Sequence, residues 1–213
     1  MKLKPFLTFL VITLCFVVFL PNTFASGDYK LKVSKGWNLL TSFDTFELER
    51  DAKYIFHYFP LLNKYVPGKP DLSEGEKKKL LDEYQSKGVS LADLQNSYLQ
   101  ITTSRWYYFT ENKEYNINIS SESPNQWKLF QGWNFKSVTE SMVGKSMYDF
   151  KGDCNITKYY GFDATNQKWI PIEGLDRKFK KDEQGVGFLL KVEKNCKLGE
   201  FVEVSPEVPA LPN

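Results

Sequence analysis

The chain has 213 residues, with 28 lysines and arginines against 26 aspartates and glutamates, a single histidine and three cysteines. Two of the basic residues, Lys2 and Lys4, lie in the N-terminal segment, so the rest of the chain is electrically balanced. No cluster of basic residues is interleaved with aromatic residues, which excludes binding to nucleic acid through positive charge. We therefore expect no nucleic acid among the partners.

Residues 1–25 have the three parts of a secretory signal peptide. Lys2 and Lys4 precede a long apolar run, and the run is followed by the segment PNTFA, which ends at a small residue. We predict cleavage between Ala25 and Ser26, which gives a secreted or cell-surface protein with no remaining membrane span. The alternative is a segment retained as a membrane anchor, because the run approaches the roughly 18 apolar residues that a spanning helix needs.

The tripeptide Gly-Trp-Asn occurs twice, each time after a stretch of alternating apolar residues. The copies are Gly36-Trp37-Asn38 and Gly132-Trp133-Asn134. A glycine between two strand-like segments permits a tight bend, at which an asparagine can bond the backbone. We predict that both tripeptides are structural corners of a repeated fold. Their tryptophans are expected to turn inward as buried equivalents.

Two further pairs of segments recur in the same order. Residues 55–67 and 159–171 are aromatic and β-branched runs around a polar turn, which predicts hairpins. They align without a gap, so that Tyr65 corresponds to Trp169. Residues 106–117 and 187–198 share a pattern rather than identities. Because three landmarks recur in order, we predict an internal duplication.

A segment at about 72–98 departs from the β pattern within the first copy. Ser73 and Glu76 have the spacing of a helix capping box, and Gly88 suits the C-terminal cap. A second short helical piece is predicted to open at Ser90. The first repeat therefore carries a helical insertion, which the second repeat lacks.

The two cysteines outside the signal peptide, Cys154 and Cys196, predict a disulfide, because an even count in an exported chain is typical of one. Free thiols or a metal site are the alternatives. Structural zinc requires four ligands, and only His57 could join the two sulfurs. We therefore expect neither a metal nor a cofactor. A short helix is predicted over 142–150, ahead of Cys154.

The predicted fold is mainly β with a helical insertion, an α+β fold of two tandem β-rich repeats packed as sandwich-like or barrel-like modules. The predicted divisions of the chain are a signal peptide at 1–25, a first repeat at 26–118, a linker at 119–126, a second repeat at 127–204 and a flexible proline-rich tail at 205–213. Asn118 and Asn155 open Asn-X-Ser/Thr sequons and are candidate glycosylation sites.

Three consecutive aromatic residues, Trp106, Tyr107 and Tyr108, are the candidate binding residues. In a strand, alternate side chains point to opposite faces, so either Tyr107 or the other two face outward. Exposed aromatic rings suit stacking on sugar rings or a protein-binding surface. The alternative is that these side chains fill the core of a small β domain.

The sequence lacks the motifs of common enzymes. His57 lies in a strand-like run, and no Gly-X-Ser-X-Gly motif accompanies it. Glu47, Glu49 and Asp51 form an acidic cluster of the type used in glycoside hydrolysis. Their alternation with apolar residues is typical of the solvent face of a strand or loop. We therefore expect a protein that is not an enzyme.

The order of the landmarks resembles that of β-rich repeats in secreted and cell-surface proteins of bacteria and archaea. Those repeats open with Gly-Trp-Asn-Leu-[Ile/Leu]-Ser, continue with a hairpin ending in an aromatic such as Trp169, and close on a strand like Gly187-Phe188. The resemblance covers most of residues 29–203 in two copies. The chain departs from it at Thr41 and at Phe135, and by the helical insertion. The resemblance implies an accessory or surface module without an assigned activity.

We expect an exported, non-catalytic binding module that acts at the cell surface. Its partner would be an envelope glycan or a surface protein. One alternative is a structural envelope component that assembles with copies of itself, and another is a hydrolase that uses the acidic cluster. Aromatic residues in a groove would favour glycan binding, whereas a large flat apolar patch would favour assembly.

Overall fold

The computed structural model describes residues 29–42, 45–88, 103–125 and 127–199. The predicted signal peptide with its cleavage site, the helical piece opening at Ser90 and the tail at 205–213 lie outside the described residues. Among the described helices, none has the length and hydrophobicity needed to cross a membrane.

The first module consists of antiparallel strands with two helices in their connections. Its elements are β1 (Tyr29–Val33), β2 (Gly36–Thr41), α1 (Phe46–Asp51), β3 (Tyr54–Phe59), β4 (Lys64–Lys69), α2 (Glu74–Ser86), β5 (Ser104–Phe109) and β6 (Lys113–Ile117). One sheet has the strand order β2-β5-β3-β4, and β1 pairs with β6 in a second sheet. The buried side chains of both sheets meet in one hydrophobic core.

The second module repeats this topology strand for strand. Its elements are β7 (Lys128–Leu129), β8 (Gly132–Ser137), a 3₁₀ turn (Glu140–Met142), β9 (Ile156–Asp163), β10 (Lys168–Pro171), a second 3₁₀ turn (Lys181–Glu183), β11 (Gly187–Val192) and β12 (Cys196–Lys197). The strand order is β8-β11-β9-β10, with β7 paired to β12. The predicted α+β fold of two β-rich modules is confirmed.

The strand registers align the two modules residue by residue. Gly36 lies opposite Phe109, and Gly132 lies opposite Val192, so Phe109 corresponds to Val192. The sequence alignment of residues 106–117 with 187–198 paired Trp106 with Gly187. The strand register shifts this pairing by two residues, so that Trp106 corresponds to Leu189. The sequence alignment was wrong here because only cross-strand pairing, and not local pattern, determines which residues are equivalent.

The asparagines of the two Gly-Trp-Asn motifs have the same hydrogen bonds. Asn38 accepts from the backbone N–H of Ser34 at 2.9 Å and donates to its carbonyl at 2.7 Å. Asn134 makes the same pair of bonds with Phe130, again at 2.9 and 2.7 Å. Each asparagine therefore closes the bend between two strands, and each is buried.

The tryptophans of the motifs are half-buried, so the expectation that they are buried was wrong. Gly36 has φ +102° and Gly132 has φ +93°, conformations that favour glycine. Because side chains alternate along a strand, Trp37 and Trp133 lie on the face opposite the buried asparagines. That face is only partly covered by the other module, which leaves part of each ring accessible.

The acidic segment 46–51 forms α1 and not the strand or loop that its alternation predicted. The backbone N–H of Glu49 bonds the carbonyl of Thr45 at 2.8 Å, and that of Ala52 bonds the carbonyl of Leu48 at 2.9 Å. Leu48 is fully buried. Burial of this one side chain against the sheet determines which face of the short helix turns inward.

Helix α2 has the predicted capping box. The backbone N–H of Glu76 bonds the Ser73 side chain, and the Glu76 carboxylate accepts from the Ser73 backbone at 2.9 Å. Gly88 follows the helix with φ +71°. Tyr84 is buried against Phe59 and neighbouring side chains, which attaches the insertion to the β3–β4 hairpin.

The predicted helix over 142–150 is not formed. A 3₁₀ turn at Glu140–Met142 is followed by further turns instead. The backbone N–H of Gly144 bonds the carbonyl of Phe179 at 2.9 Å, and that of Tyr148 bonds the carbonyl of Leu175 at 2.8 Å. These partners lie in the segment after β10, so the groups are not available for helical bonds.

Cys154 and Cys196 form a disulfide, with their Cα atoms 5.5 Å apart. Cys154 precedes β9 and Cys196 lies in β12, so the bond joins the loop before one sheet to the other sheet of the second module. The first module has α2 as its own addition and no equivalent bond among its described residues.

The two modules are in direct contact, and the outward faces of their four-stranded sheets share a buried cluster of Leu39, Tyr58, Phe135 and Leu189. The backbone N–H of Thr41 donates to the carbonyl of Gly185 at 2.7 Å, and Leu40 forms an isolated bridge with Val186. In the predicted linker, Ile119 is buried in the first core, and the carbonyl of Ser120 accepts from Glu140 at 2.9 Å. The described part of the linker is therefore held by both modules.

Candidate functional site

The alternation of side chains along β5 determines which of the three consecutive aromatics face outward. Tyr107 is fully buried in the first core, whereas Trp106 and Tyr108 are half-exposed on the opposite face. The ring of Trp106 lies 4.6 Å from Phe162 and 5.4 Å from Trp169, both in the second module. The outward face of β5 thus meets the other module at an aromatic junction.

Two open clefts flank this junction. The Trp37 cleft has a volume of about 530 Å³. It is lined by Trp37, Phe56, Tyr65, Trp106, Phe162, Gln167 and Trp169. The Trp133 cleft has a volume of about 510 Å³. It is lined by Tyr58, Asn63, Tyr65, Trp133, Phe135, Tyr160, Trp169 and Leu189. Both volumes lie within the range of small-ligand sites, roughly 300–1,000 Å³.

Tyr65 and Trp169 line both clefts and stand between them. They occupy equivalent positions on the edge strands β4 and β10, and their side chains are 48% and 37% exposed. Tyr65 lies opposite Tyr58 in its hairpin, as Trp169 lies opposite Phe162. Burial raises the pKa of Tyr65 and a hydrogen bond with Trp106 opposes that rise, so its hydroxyl is neutral at physiological pH.

A side-chain amide from the second module closes the Trp37 cleft. Gln167 accepts a hydrogen bond from the Trp37 backbone N–H at 2.8 Å and donates to the Trp37 carbonyl at 2.9 Å. Gly36 makes room for this contact, because a Cβ there would lie 2.8 Å from the Gln167 amide. We call this pair of bonds the Gln167 clamp.

The Trp133 cleft has no such clamp in the equivalent place. The residue that corresponds to Gln167 is Asn63, which is one methylene shorter and accepts a hydrogen bond from the Tyr58 hydroxyl at 2.6 Å. Asn63 and Gln167 both have positive φ, at 52° and 53°, so the two turns share a backbone conformation. A Cβ on Gly132 would meet no described atom within 4 Å.

The described residues that line the two clefts include no charged side chain. The walls are aromatic rings, and the polar groups at their edges are amides and phenol hydroxyls. Such walls combine flat apolar faces with neutral hydrogen-bonding edges. They are suited to an uncharged ligand that has both apolar faces and polar groups.

A separate, smaller cavity of about 30 Å³ lies between the modules and has cationic walls. Burial and the nearby Arg105 lower the pKa of His57 to about 3. Burial lowers the pKa of Lys136 to about 8, and its ammonium lies 5.3 Å from the Trp127 ring. The cavity has room for about one water molecule, so it is not a ligand site of useful size.

Two of the three acidic residues of α1, Glu49 and Asp51, form internal ion pairs. Glu49 accepts from Arg105 and from Thr45, each at 2.8 Å. Asp51 is bonded by Arg50 at 2.8 Å and also by Lys113. Within the ranges that the structure describes, no group of three His, Cys, Asp or Glu side chains could hold a metal ion.

The candidate binding aromatics and the candidate glycosylation sites predicted from the sequence do not come together in one site. Trp106 lines a cleft, Tyr108 lies 5.1 Å from the Trp37 ring, and Tyr107 belongs to the core. Of the sequon residues, Asn118 is half-buried, whereas Asn155 is exposed and donates to Glu193 at 2.7 Å. No described residue of either sequon lines a cleft.

Several cleft residues were not predicted as binding residues. The two motif tryptophans, together with Tyr65 and Trp169, were assigned structural roles only. Phe56, Phe162 and Gln167 were not singled out. The available signal was the alternation in the two hairpins, which places Phe56 and Phe162 on the same faces as their aromatic cross-strand neighbours.

No family model, no curated protein and no solved structure matches this chain. The resemblance to β-rich repeats of prokaryotic surface proteins therefore stays a prediction. The candidate site is defined by the geometry of the two clefts alone.

Proposed function

We propose that the protein is a non-catalytic binding module that acts outside the cytoplasm and holds a neutral glycan on its aromatic surface. The observation that carries this proposal is the pair of open clefts with aromatic walls and uncharged polar edges. Sugar rings present C–H faces that stack on tryptophan and tyrosine, and hydroxyl groups that bond neutral donors and acceptors. The two surfaces are therefore complementary in both respects.

The shape of the surface supports ligand binding over self-assembly through its sheet edges. The edge strands β4 and β10 carry Pro67 and Pro171 at equivalent positions. A proline has no N–H to donate, so these edges are poor templates for a strand from another copy. The aromatic side chains stand in clefts and not on a flat patch.

The distribution of carboxylates supports binding without cleavage. Glycoside hydrolysis uses two carboxyl groups on either side of the scissile bond. The described lining of the clefts contains none, and Glu49 and Asp51 of α1 are engaged with arginines. The Cys154–Cys196 disulfide supports an oxidising compartment, in keeping with the predicted signal peptide.

The test is a binding survey of the chain from Ser26 onward against neutral and charged glycans and cell-envelope fractions. We expect retention on neutral glycans and no release of reducing ends. Trp169→Ala should weaken retention by about tenfold or more, because Trp169 lines both clefts. Tyr148→Ala is the matched control, since Tyr148 is 64% exposed but lies outside both clefts.

Retention only on charged polymers would contradict the proposal, as would equal binding by the wild type and Trp169→Ala. Equal loss in Trp169→Ala and Tyr148→Ala would show that binding is nonspecific. Release of reducing ends by the wild type would show that the protein is a hydrolase and not a non-catalytic binding module.

A further inference from the structure

The two clefts are each built from both modules, and this composition is reciprocal. In the alignment of the modules, Trp37 corresponds to Trp133 and Tyr65 corresponds to Trp169. The Trp37 cleft takes Trp37 and Tyr65 from the first module and Trp169 from the second. Exchanging each residue for its counterpart gives Trp133, Trp169 and Tyr65, all of which line the Trp133 cleft.

The remaining residues follow the same exchange. The counterparts are Phe56 with Tyr160, Trp106 with Leu189, Phe162 with Tyr58, and Gln167 with Asn63. Every residue that lines the Trp37 cleft thus has its counterpart in the Trp133 cleft, to which Phe135 is added. Replacing each residue by its counterpart in the other module turns one cleft into the other, and a second exchange restores the first. This is the property of an isologous, two-fold arrangement. The modules are arranged like the subunits of a symmetric dimer within one chain.

Neither module could form a cleft alone, because each cleft requires the edge-strand aromatic of the other module. Tyr65 and Trp169 stand between the clefts and contribute to both. A ligand in one cleft therefore touches a side chain that the neighbouring cleft also uses. The clefts adjoin each other, and together they form one continuous aromatic surface.

We infer that the two clefts are symmetry-related halves of a single site that takes a neutral glycan chain long enough to occupy both. This inference rests on the proposed function and deepens it, because it assigns an extended, uncharged polymer as the ligand class. A short saccharide fills one cleft, whereas a longer chain crosses Tyr65 and Trp169 into the second. The second contact is then intramolecular and adds affinity without a second binding event.

The two-fold relation between the clefts also restricts how they can recognise a glycan chain. A glycan chain has a direction from one end to the other. Because the clefts are related by a two-fold axis, a single glycan that crosses both meets them in opposite orientations. Stacking on a ring face tolerates either direction, whereas a fixed array of hydrogen bonds does not. The lining of both clefts is largely aromatic, which suits this requirement.

The halves differ at four of the paired positions and by Phe135, and each is lined by six aromatic residues, so the Gln167 clamp is the difference that ranks them. The Trp37 cleft has Trp106 where the Trp133 cleft has Leu189, and it is closed by the Gln167 clamp where Asn63 makes none. Phe135 offsets the loss of an aromatic at Leu189, so the fixed backbone that the clamp provides is what favours tighter binding in the Trp37 cleft. The Trp37 cleft is the stronger half.

The experiment is calorimetric titration of the chain from Ser26 onward with neutral oligosaccharides of roughly two to eight sugar units, from the β-1,4-glucan and chitin series. We expect one oligosaccharide per chain for the longer members and a rise in affinity of at least about tenfold between the shortest and the longest. Trp37→Ala and Trp133→Ala should each remove most of this length dependence, with the larger loss from Trp37→Ala. Tyr148→Ala should leave it unchanged.

Should an alanine variant fail to fold, Trp37→Tyr and Trp133→Tyr keep a ring at each site. They are expected to retain part of the length dependence, and an unchanged length dependence in both would overturn the inference. Equal affinity for all lengths would overturn it too, while leaving the proposed function in place. If no neutral oligosaccharide of either series bound, both the inference of a single extended site and the proposed function would be wrong. Displacement by a peptide of sequence SPEVPALPN, residues 205–213, would reassign the clefts to a proline-rich segment.

Discussion

The side-chain amide of Gln167 bonds both backbone groups of Trp37, accepting from its N–H at 2.8 Å and donating to its carbonyl at 2.9 Å. Gln167 lies in the β9–β10 turn of the second module, and Trp37 lies in the edge strand β2 of the first. A side chain of one module thus occupies the place of a neighbouring strand in the other. The equivalent turn residue, Asn63, bonds Tyr58 of its own module instead, so the duplicated modules have diverged at this contact.

Gln167→Asn should destabilise the protein by removing the clamp. The shorter side chain cannot reach both backbone groups of Trp37, and two hydrogen bonds at roughly 0.5–1.5 kcal/mol each predict a loss of about 1–3 kcal/mol in the free energy of unfolding. Urea denaturation measures it. Gln131→Asn makes the same chemical change at an exposed position and should have little effect. Equal effects of the two substitutions would show that the clamp is not what stabilises the junction.

Gly36→Ala should cost more than Gly132→Ala. Both positions have positive φ, which costs an alanine roughly 1–2 kcal/mol. At Gly36 the added Cβ also lies 2.8 Å from the Gln167 amide, whereas at Gly132 no described atom lies within 4 Å. The difference between the two costs in unfolding free energy should shrink when each substitution is made separately in a Gln167→Asn background. A difference that persists in that background would assign the extra cost to something other than the clamp.

His57 should make the protein less stable as the pH falls. Burial and Arg105 lower its pKa in the folded state to about 3, against 6.5 as the ordinary value. Between these values the unfolded chain binds a proton that the folded chain does not, so stability is lost as the pH falls from about 6.5 to about 3, at up to about 1.4 kcal/mol per pH unit. Urea midpoints of the wild type and His57→Gln at pH 7, 6, 5 and 4 should diverge. Parallel curves would rule out this contribution.

Lys136→Leu should stabilise the protein near neutral pH. Lys136 is buried with its pKa lowered to about 8, and the equivalent residue in the first module is the buried Leu40. At pH 7 the folded protein holds a desolvated charge, whose removal is worth about 1–3 kcal/mol.

The gain from Lys136→Leu should shrink as the pH rises from about 8 to 10.5, because over that range the folded wild type is neutral at Lys136 while the unfolded chain still binds the proton, so the stability of the wild type rises. Thermal unfolding at pH 7 and pH 10 measures both effects. Lys158→Leu, at an exposed position, is the control. A loss of stability at pH 7 in Lys136→Leu but not in Lys158→Leu would show that the lysine's own contacts outweigh the cost of burying it.

The features that could be predicted from the sequence depend on short stretches or on residue types. The capping box of Ser73 and Glu76 is a local hydrogen-bonding pattern, and it forms as predicted. The disulfide was predicted from the two cysteines that lie outside the predicted signal peptide, and it is formed. The duplication followed from the order of three landmarks, and the shared strand topology bears it out.

Local pattern was misleading where tertiary contacts compete with it. The alternation in 46–51 predicted a strand or loop, but burial of Leu48 produces a helix. The helical spacing in 142–150 gave way to turns, because Gly144 and Tyr148 bond a distant segment. In each case a long-range contact replaced the local preference.

The sequence by itself determined the β-rich repeat, the capped helix α2 and the corner asparagines, because these depend on hydrogen bonds and packing within a few residues or within one sheet. It determined that both faces of β5 carry aromatic side chains, but not which face is buried. Only the tertiary structure decided that Trp37 and Trp133 are half-buried walls, and that Tyr65 and Trp169 serve two clefts. The clefts exist because the outward faces of the two four-stranded sheets pack against each other, and that docking depends on contacts between residues about 130 positions apart, such as Trp37 with Gln167.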